Sequence, residues 1–573
     1  MPEIHTASSP LAPTQSPSPP VDPSPLPRTN DEPPSLQFQH GLTHAALTAL
    51  KWNYLGAFVR TASSFIIGIF LARLLGPRPF GQVAVAWLVI GLGNLMADCG
   101  FGAALVQRRE LTSEQIRFAF TVQAILGFLL SAVVALGAPW IAWVFHQPET
   151  VPVIRALAAV FSLQAFGLTA ANLLKRNLAF GRLQRAQVIS YLAGYLALGM
   201  PLALRGYGVW SLIAAQLAQT FLLSAQLYLA VRHPLRPLLR LRYRELTSFG
   251  GKVVGVNLVN WTIANGDTAI VGRAFGAVSL GLYDRALILM TTPMNGIVAT
   301  LQAVLFPTYA RAQNQPERVR NAYLTSVAAV QLCLLPAFVL IATVPRTVIG
   351  GLYGSRWPAA VPLLVPLALA RPFRALMSLA GPLLWGVGKV ERELRVQIAV
   401  ALLFIPALLM AARGSLSAVA WTVFALLVLQ SILITRAALN VASIAWRELL
   451  RLLRGPVLLA AGTAPLVWLV DHRVFLPMPP AMRLAVDALT GSALILALLL
   501  SLPRLFLCDE LRELVRRHFR WIPSWVRLAL PEAGAGLNKP PRVRDPVPET
   551  RLSESELPAG TLRRAIPETF TTQ

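Results

Sequence analysis

Long apolar runs separated by short polar breaks recur along this chain from about residue 50 to about residue 505. A helix needs about 20 mostly apolar residues to cross roughly 30 Å of hydrocarbon. Runs of that kind begin near residues 52, 80, 119, 151, 187, 208, 250, 281, 323, 358, 396, 415, 455 and 484. Backbone inside lipid must satisfy its hydrogen bonds within its own segment, so the pattern predicts an all-α polytopic membrane protein of about fourteen transmembrane helices. Composition agrees: of 573 residues, 55% are hydrophobic and 13% charged, against about 25% charged in soluble domains.

The net charge of +25 would suggest nucleic acid for a soluble protein, but membrane proteins gather Lys and Arg in cytoplasmic loops for orientation alone. Placing the N-terminus inside puts 22 basic residues in the inner loops and nine in the outer ones, which predicts both termini on the cytoplasmic side of the membrane. No nucleic-acid partner is expected. Residues 1–44 carry many prolines and no apolar core of signal-peptide length, and residues 531–573 are similarly polar, so both read as disordered tails. Residues 505–530 alternate leucines with Arg512, Arg516, Arg517 and Arg520 and read as an amphipathic helix in the headgroup plane. Trp140, Trp143, Trp210 and Trp357 fall near outer helix ends, as interfacial aromatic belts do.

One pattern occurs twice. "FLARLLGPRPFGQVAVA" (70–86) and "IVGRAFGAVSLGLYDRA" (270–286) share R-x2-G-x4-G-x4-A at a shift of 200 residues, aligning Arg73, Gly76 and Gly81 with Arg273, Gly276 and Gly281. Six predicted crossings separate the copies, so both face the same side, and the repeat is parallel about an axis along the membrane normal. The glycines permit tight turns between helices. The expected organisation is a six-helix lobe over 45–231, a basic connector over 232–249, a second six-helix lobe over 250–440, and two extra helices over 441–504. Each lobe would then carry the same hinge-like outer turn.

Together with "DCGFGAALVQRRELT" (98–112), "ANGDTAIVGRAFGAVSLGLYDRA" (264–286) and "FPTYAR" (306–311), these motifs make the chain resemble the polysaccharide transport family of oligosaccharide flippases, within the multidrug/oligosaccharidyl-lipid/polysaccharide exporter superfamily. The resemblance spans roughly residues 48–505. It implies two lobes around a V-shaped cavity, no enzymatic chemistry, and movement of undecaprenyl-diphosphate-linked sugars across the inner membrane for exopolysaccharide, capsule or O-antigen assembly. Lipid-linked oligosaccharide and membrane lipids are the implied partners, with a glycan polymerase and chain-length machinery as further ones.

Such cargo carries a diphosphate, and a charge at mid-membrane costs about 2.5–3.5 kcal/mol on insertion scales, so cationic residues within the spans become candidates. These are Arg60 in the first span, the leading candidate for the diphosphate, helped by Arg285 in the eighth, and Arg371 and Arg374 in the tenth. Three of them have a structural alternative: Arg60 paired with Asp98, Arg285 with Asp284 or Asp267, and Arg371 with carbonyls freed by Pro372. Asp98 and Asp267 are either ion-coupling carboxylates or structural partners of these arginines, the structural role being favoured. Arg73 and Arg273 are expected to anchor their turns to headgroups or carbonyls.

Two other functions stay open: a drug or metabolite antiporter of the same superfamily, and a membrane glycosyltransferase or polymerase. The latter calls for a large catalytic outer loop, and the outer loops here are short. No cofactor or metal is expected, because Cys99, Cys333 and Cys508 are scattered and no G-x4-G-K-[ST] loop occurs. The topology is directly testable in a background without native cysteines. Single cysteines replacing Arg205 and Arg413 should react with an impermeant reagent outside intact cells, and those replacing Arg182, Arg240 and Lys389 should not. Labelling at 240 but not at 205 would invert the map.

Overall fold

A computed structural model describes residues 34–98, 112–239, 250–474, 478–508 and 511–512. The expected tails, most of the proposed interfacial helix and residues 99–111 lie outside the described residues. Among those described there is no strand, and twelve helices are long and apolar enough to cross a membrane. One of the twelve, Ala264–Ala312, is broken at Gly276, and the apolar helix Pro77–Asp98 stands outside the twelve. The expected fourteen is reached only by counting that helix and both arms of the broken one.

In the first half, α1 spans Pro34–Leu75, α2 Pro77–Asp98, α3 Ser113–Val144, α4 Val151–Arg176, α5 Phe180–Leu204 and α6 Val209–Val231. The second half begins with Gly250–Ala312, whose arms are α7 (250–275) and α8 (277–312). It continues with α9 Pro316–Thr343, α10 Val361–Gly386, α11 Val390–Ala411 and α12 Leu416–Val441. The added pair is α13 Trp446–Leu469 and α14 Pro480–Ser501. Local chemistry sets several boundaries. Thr112 caps α3 through a reciprocal box with Gln115, and Ser415 accepts the Ala418 N–H at the start of α12. Within α5, residues Leu192–Gly199 form a π-helical stretch, a geometry that recurs at functional positions.

Each half packs within itself: α3 lies on α4, α4 on α6 and α1 on α5, while α10 lies among α8, α9 and α12. The α13–α14 pair is attached to the second half through α9 and the short helix Pro345–Leu352. Between the halves the main contact joins α2 to the 250–312 segment. It is closest at the repeated turns and runs on along α2 to Gly91, which faces Trp261.

Gly76 and Gly276 both break their helices at positive φ (74° and 78°), a left-handed conformation that glycine adopts without a steric penalty. The arms then run back alongside each other, as the Tyr283 hydroxyl donating to Asp267 across the second turn shows (2.7 Å). Further along, a Cβ on Gly81 would overlap the Ala277 carbonyl, and a Cβ on Gly281 would overlap the Pro77 carbonyl. Positions 77 and 277, and 81 and 281, are repeat equivalents, so the contact is reciprocal across the pseudo-two-fold.

Side chains extend the same reciprocity. Arg73 donates to the carbonyls of Gly351 and Leu352 (2.7 Å to Leu352), and Arg273 donates to that of Val144. The carbonyl of Ala72 accepts from Trp357 Nε1 (3.0 Å), and its equivalent at Gly272 accepts from Gln147 Nε2 (2.8 Å). Trp357 is therefore fully buried between the halves and not part of an interfacial belt, whereas Trp140, Trp143 and Trp210 are exposed. The indole N–H explains the difference, because a tryptophan can leave the interface when its one donor finds a buried acceptor.

Gly281→Val should force the turns apart. Overpacking of this kind costs about 1–3 kcal/mol, and spin labels replacing Trp140 and Arg346 should report a longer distance between the halves. An unchanged distance distribution would show that this contact does not hold them together.

Candidate functional site

Arg285 lies nine residues beyond Gly276 on α8, roughly 14 Å from the turn at 1.5 Å per residue. Its Nη2 and Nε donate to Asp284 Oδ2 (2.7 and 3.1 Å). The guanidinium stands 4.6 Å from the ring centroid of Phe80 on α2, a cation–π contact that crosses between the halves. From the second half, the Tyr353 hydroxyl donates to the Arg285 carbonyl (3.2 Å). Tyr353 also packs against Trp357, which packs against Phe80.

The π-helical stretch brings a second group of rings to this place. Tyr191 and Tyr195 stack at 4.8 Å, the Tyr195 hydroxyl donates to Gln216 on α6 (2.9 Å), and both phenols lie within electrostatic range of Arg285. Arg285 is thus a partly buried cation at the seam, its side chain 19% exposed, walled by α2 and α5 from one half and by α8 and the 353–357 segment from the other.

A second charged group lies within the second half. Asp267 on α7 is buried and accepts from the Tyr283 hydroxyl (2.7 Å) and the Thr268 backbone N–H (2.8 Å). Arg371 and Arg374 on α10 lie within its electrostatic range. Arg371 is also buried, and its Nε donates to the Leu367 carbonyl (3.0 Å), beside the Ala368 carbonyl that Pro372 leaves without its helical donor. The Pro372 carbonyl in turn accepts from Gln331 Nε2 (2.8 Å). Arg374 is half-buried and pairs with no carboxylate among the described residues.

Arg60 stands apart from both groups. It is exposed on α1, 16 residues before Gly76 and roughly 24 Å from the turn, and it makes no hydrogen bond or ion pair with another described residue. Asp98 ends α2, and its side chain lies outside the described residues, so the pairing considered for Arg60 is not addressed. Arg73 and Arg273 reach carbonyls of the opposite half, one of the two anchoring modes expected for them.

Sequence reasoning sought charges and passed over neutral amides. Inside the first half a cavity of about 310 Å3 is lined by Asn94, Gln123, Gln164, Gln187 and Lys175. Thr169 donates to Gln123 Oε1 (2.6 Å), while Gln123 Nε2 and Gln187 Oε1 find no protein partner. Also passed over was Asp487, buried within α14 beside Asp471, which accepts from Thr347 and Arg483 (both 2.7 Å). The signal was available, as a carboxylate seven residues into an apolar run.

Set beside known proteins, this arrangement has relatives. The family model described as "Polysaccharide biosynthesis protein" matches residues 70–362, and the chain belongs to that family. The teichuronic acid biosynthesis protein TuaB of Bacillus subtilis (strain 168) is 27% identical over 469 residues, covering 80% of this chain and 96% of the relative. The lipopolysaccharide biosynthesis protein WzxC of Escherichia coli (strain K12) is 23% identical, covering 64% of this chain and 75% of its own. Among solved structures, the lipid II flippase MurJ in its inward closed conformation superposes with a TM-score of 0.62 at 13% identity, covering 77% of this chain and 97% of that one. The last likeness concerns the fold. The chain is a multi-pass helical membrane protein of a polysaccharide biosynthesis family.

The Asp267 group can be tested by a double-mutant cycle on the purified protein. The two residues make no direct ion pair, so the cycle measures the coupling of two buried charges across a gap. Asp267→Asn and Arg371→Leu should each lower the melting temperature, and the double variant should recover part of the loss. Strict additivity would separate the two residues energetically.

Proposed function

We propose that this protein is a flippase that carries lipid-linked oligosaccharide across the bacterial inner membrane, with a diphosphate as the charged link between lipid and sugar. The observation that carries the reading is Arg285, a partly buried guanidinium at the seam of two helical halves in a polysaccharide biosynthesis family member. Arginine suits a diphosphate because its planar fork meets phosphate oxygens in pairs. The charge balance points the same way. Arg60, Arg285, Arg371 and Arg374 outnumber Asp267 and Asp284 among the described side chains within the spans of the two halves, leaving a cationic surplus suited to an anion.

The amides around the first-half cavity suit a hydroxyl-rich glycan, since each offers donors and an acceptor without a charge. In this reading Arg285 holds the diphosphate when the halves part, exchanging Asp284 and the Phe80 face for phosphate oxygens. Relatives and neighbours named for teichuronic acid, lipopolysaccharide and lipid II support a glycan or glycolipid cargo. The drug antiporter alternative would favour carboxylates in excess of arginines within the spans.

Flipping of a fluorescent lipid-diphosphate-linked sugar in reconstituted vesicles tests this. A hydrogen bond to a charged group is worth about 1.5–3 kcal/mol, so Arg285→Ala should slow flipping by roughly 10- to 100-fold. Arg285→Lys should fall between, because a point charge lacks the paired donors. Thermal unfolding of each variant separates lost transport from lost folding. A correctly folded Arg285→Ala that flips at the wild-type rate would remove Arg285 from the cargo path and the reading with it.

A further inference from the structure

Charge and hydroxyl chemistry are kept in different places in this molecule. The cavity of about 310 Å3 inside the first half has no carboxylate on its wall and one cation, Lys175, which is exposed one residue before the end of α4. Its polar lining is mainly amide instead: Asn94 from α2, Gln123 from α3, Gln164 from α4 and Gln187 from α5. Gln123 is 1% exposed, and with Thr169 on its Oε1 the group left over is the Nε2 amide, which finds no protein partner. Gln187 supplies the complement, an unpartnered Oε1 acceptor. An unmet donor and an unmet acceptor on one wall are costly to bury, and a ligand that both accepts and donates satisfies the two together. Hydroxyls do both.

The cavity adjoins the seam. On α5, Gln187 lies one turn before Tyr191 and on the same face, roughly 6 Å along the axis. Tyr191 stacks on Tyr195, and both lie within electrostatic range of Arg285. On α2, Gly91 faces Trp261 of the second half three residues before Asn94. A ligand held by its charge at Arg285 therefore has one face of α5 leading from it to the amides.

We propose that this cavity reads the sugar: one pyranose ring enters it, with a hydroxyl oxygen accepting from Gln123 Nε2 and a hydroxyl donating to Gln187 Oε1. The proposal rests on the flippase reading for the cargo that brings the ring here, and it makes Gln123 and Gln187 the residues that set which sugar is accepted. The volume lies at the lower end of the roughly 300–1,000 Å3 of small-ligand pockets, which limits the occupant to a unit of that size. Uncharged amides leave the diphosphate to Arg285, and a site built to hydrogen-bond hydroxyls rejects an analogue without them.

Binding is measured on the purified full chain in a detergent without a sugar headgroup, by saturation-transfer NMR with the methyl glycosides of glucose, galactose, mannose and glucuronic acid, and with tetrahydropyran as the ring without hydroxyls. At least one glycoside should bind and tetrahydropyran should not. Gln123→Met and Gln187→Met should each weaken that glycoside by about 3- to 10-fold, the loss of one hydrogen bond, while Gln313→Met, at an exposed glutamine between α8 and α9, should bind as the wild type does. Gln123→Met leaves Thr169 without its acceptor, so Gln187→Met, which keeps that bond, carries the test if the first variant fails to fold. Ala171→Cys, on the cavity wall of a chain without native cysteines, removes no amide, and its reaction with a maleimide should be slowed by the glycoside and not by tetrahydropyran. No binding by any glycoside, binding that both glutamine variants retain in full, or no protection at position 171 would overturn the inference. Glycoside binding in detergent involves no transport, so its absence would leave the Arg285 flipping result standing, and an Arg285→Ala that flips normally would leave the glycoside result standing.

Discussion

Two glycines packed against two carbonyls hold this molecule in the arrangement described. Lipid tails are as apolar as leucine side chains, so no hydrophobic force draws one helical half to the other inside a bilayer, and close packing with hydrogen bonds must do so. Gly81 on the Ala277 carbonyl and Gly281 on the Pro77 carbonyl bring the backbones as near as backbones come. That closeness lets Arg73, Arg273, Gln147 and Trp357 reach carbonyls at helix ends across the seam. Those acceptors lie at a turn or the end of a helix, where a carbonyl lacks its internal donor or has a second lone pair to offer. The contact begins at these polar turn bonds and continues along α2 through buried apolar side chains such as Phe80 and Leu280 to Gly91 against Trp261.

The candidate site depends on that contact. Phe80, the aromatic face under Arg285, stands one residue before Gly81, and Tyr353 follows Leu352, the residue whose carbonyl receives Arg73. Trp357 touches both rings and donates to Ala72. Parting of the turns therefore removes Phe80 and the Trp357 bond from around Arg285 together. In the proposed transport reading this links access to charge, because separation of the halves would take Phe80 away from the guanidinium.

The sequence pattern made the helical architecture readable, because a lipid-spanning helix demands a long apolar run whatever it packs against. The repeat was readable as well, and the structure gives it a physical cause: both copies make the same contact, each with the other. Hinge-like turns were expected, and their packing against one another was not. No pattern within a single segment encodes which segment it meets, so Gly81 and Ala277 could not be paired from spacing. Trp357 failed for the same reason, since an outer-end tryptophan looks identical in a belt and in a seam. The amides of the first-half cavity escaped because glutamine leaves no mark on a charge count. The Asp284 partner of Arg285 was legible as a chain neighbour, whereas the Phe80 face came from 205 positions away.

The repeat also shows where the symmetry stops. At the shift of 200, Gly76 and Gly81 have glycine equivalents, while Asp267, Tyr283, Asp284 and Arg285 fall on Ile67, Val83, Ala84 and Val85. Three of those four first-half counterparts, Ile67, Ala84 and Val85, are at most 5% exposed, and Val83 is 8% exposed, so the same depth that is charged in one half is closely packed hydrocarbon in the other. A purely structural role for the charges would give no reason for one half to need them, because the first half packs at that depth without any. Buried charge is also costly in a membrane, and a fold that can be built with Ile, Val and Ala gains nothing in stability from Asp and Arg at equivalent positions. The asymmetry fits the proposed reading, in which the turns, alike in both copies, join the halves, and the charged layer, present in one copy only, is the part assigned to the cargo.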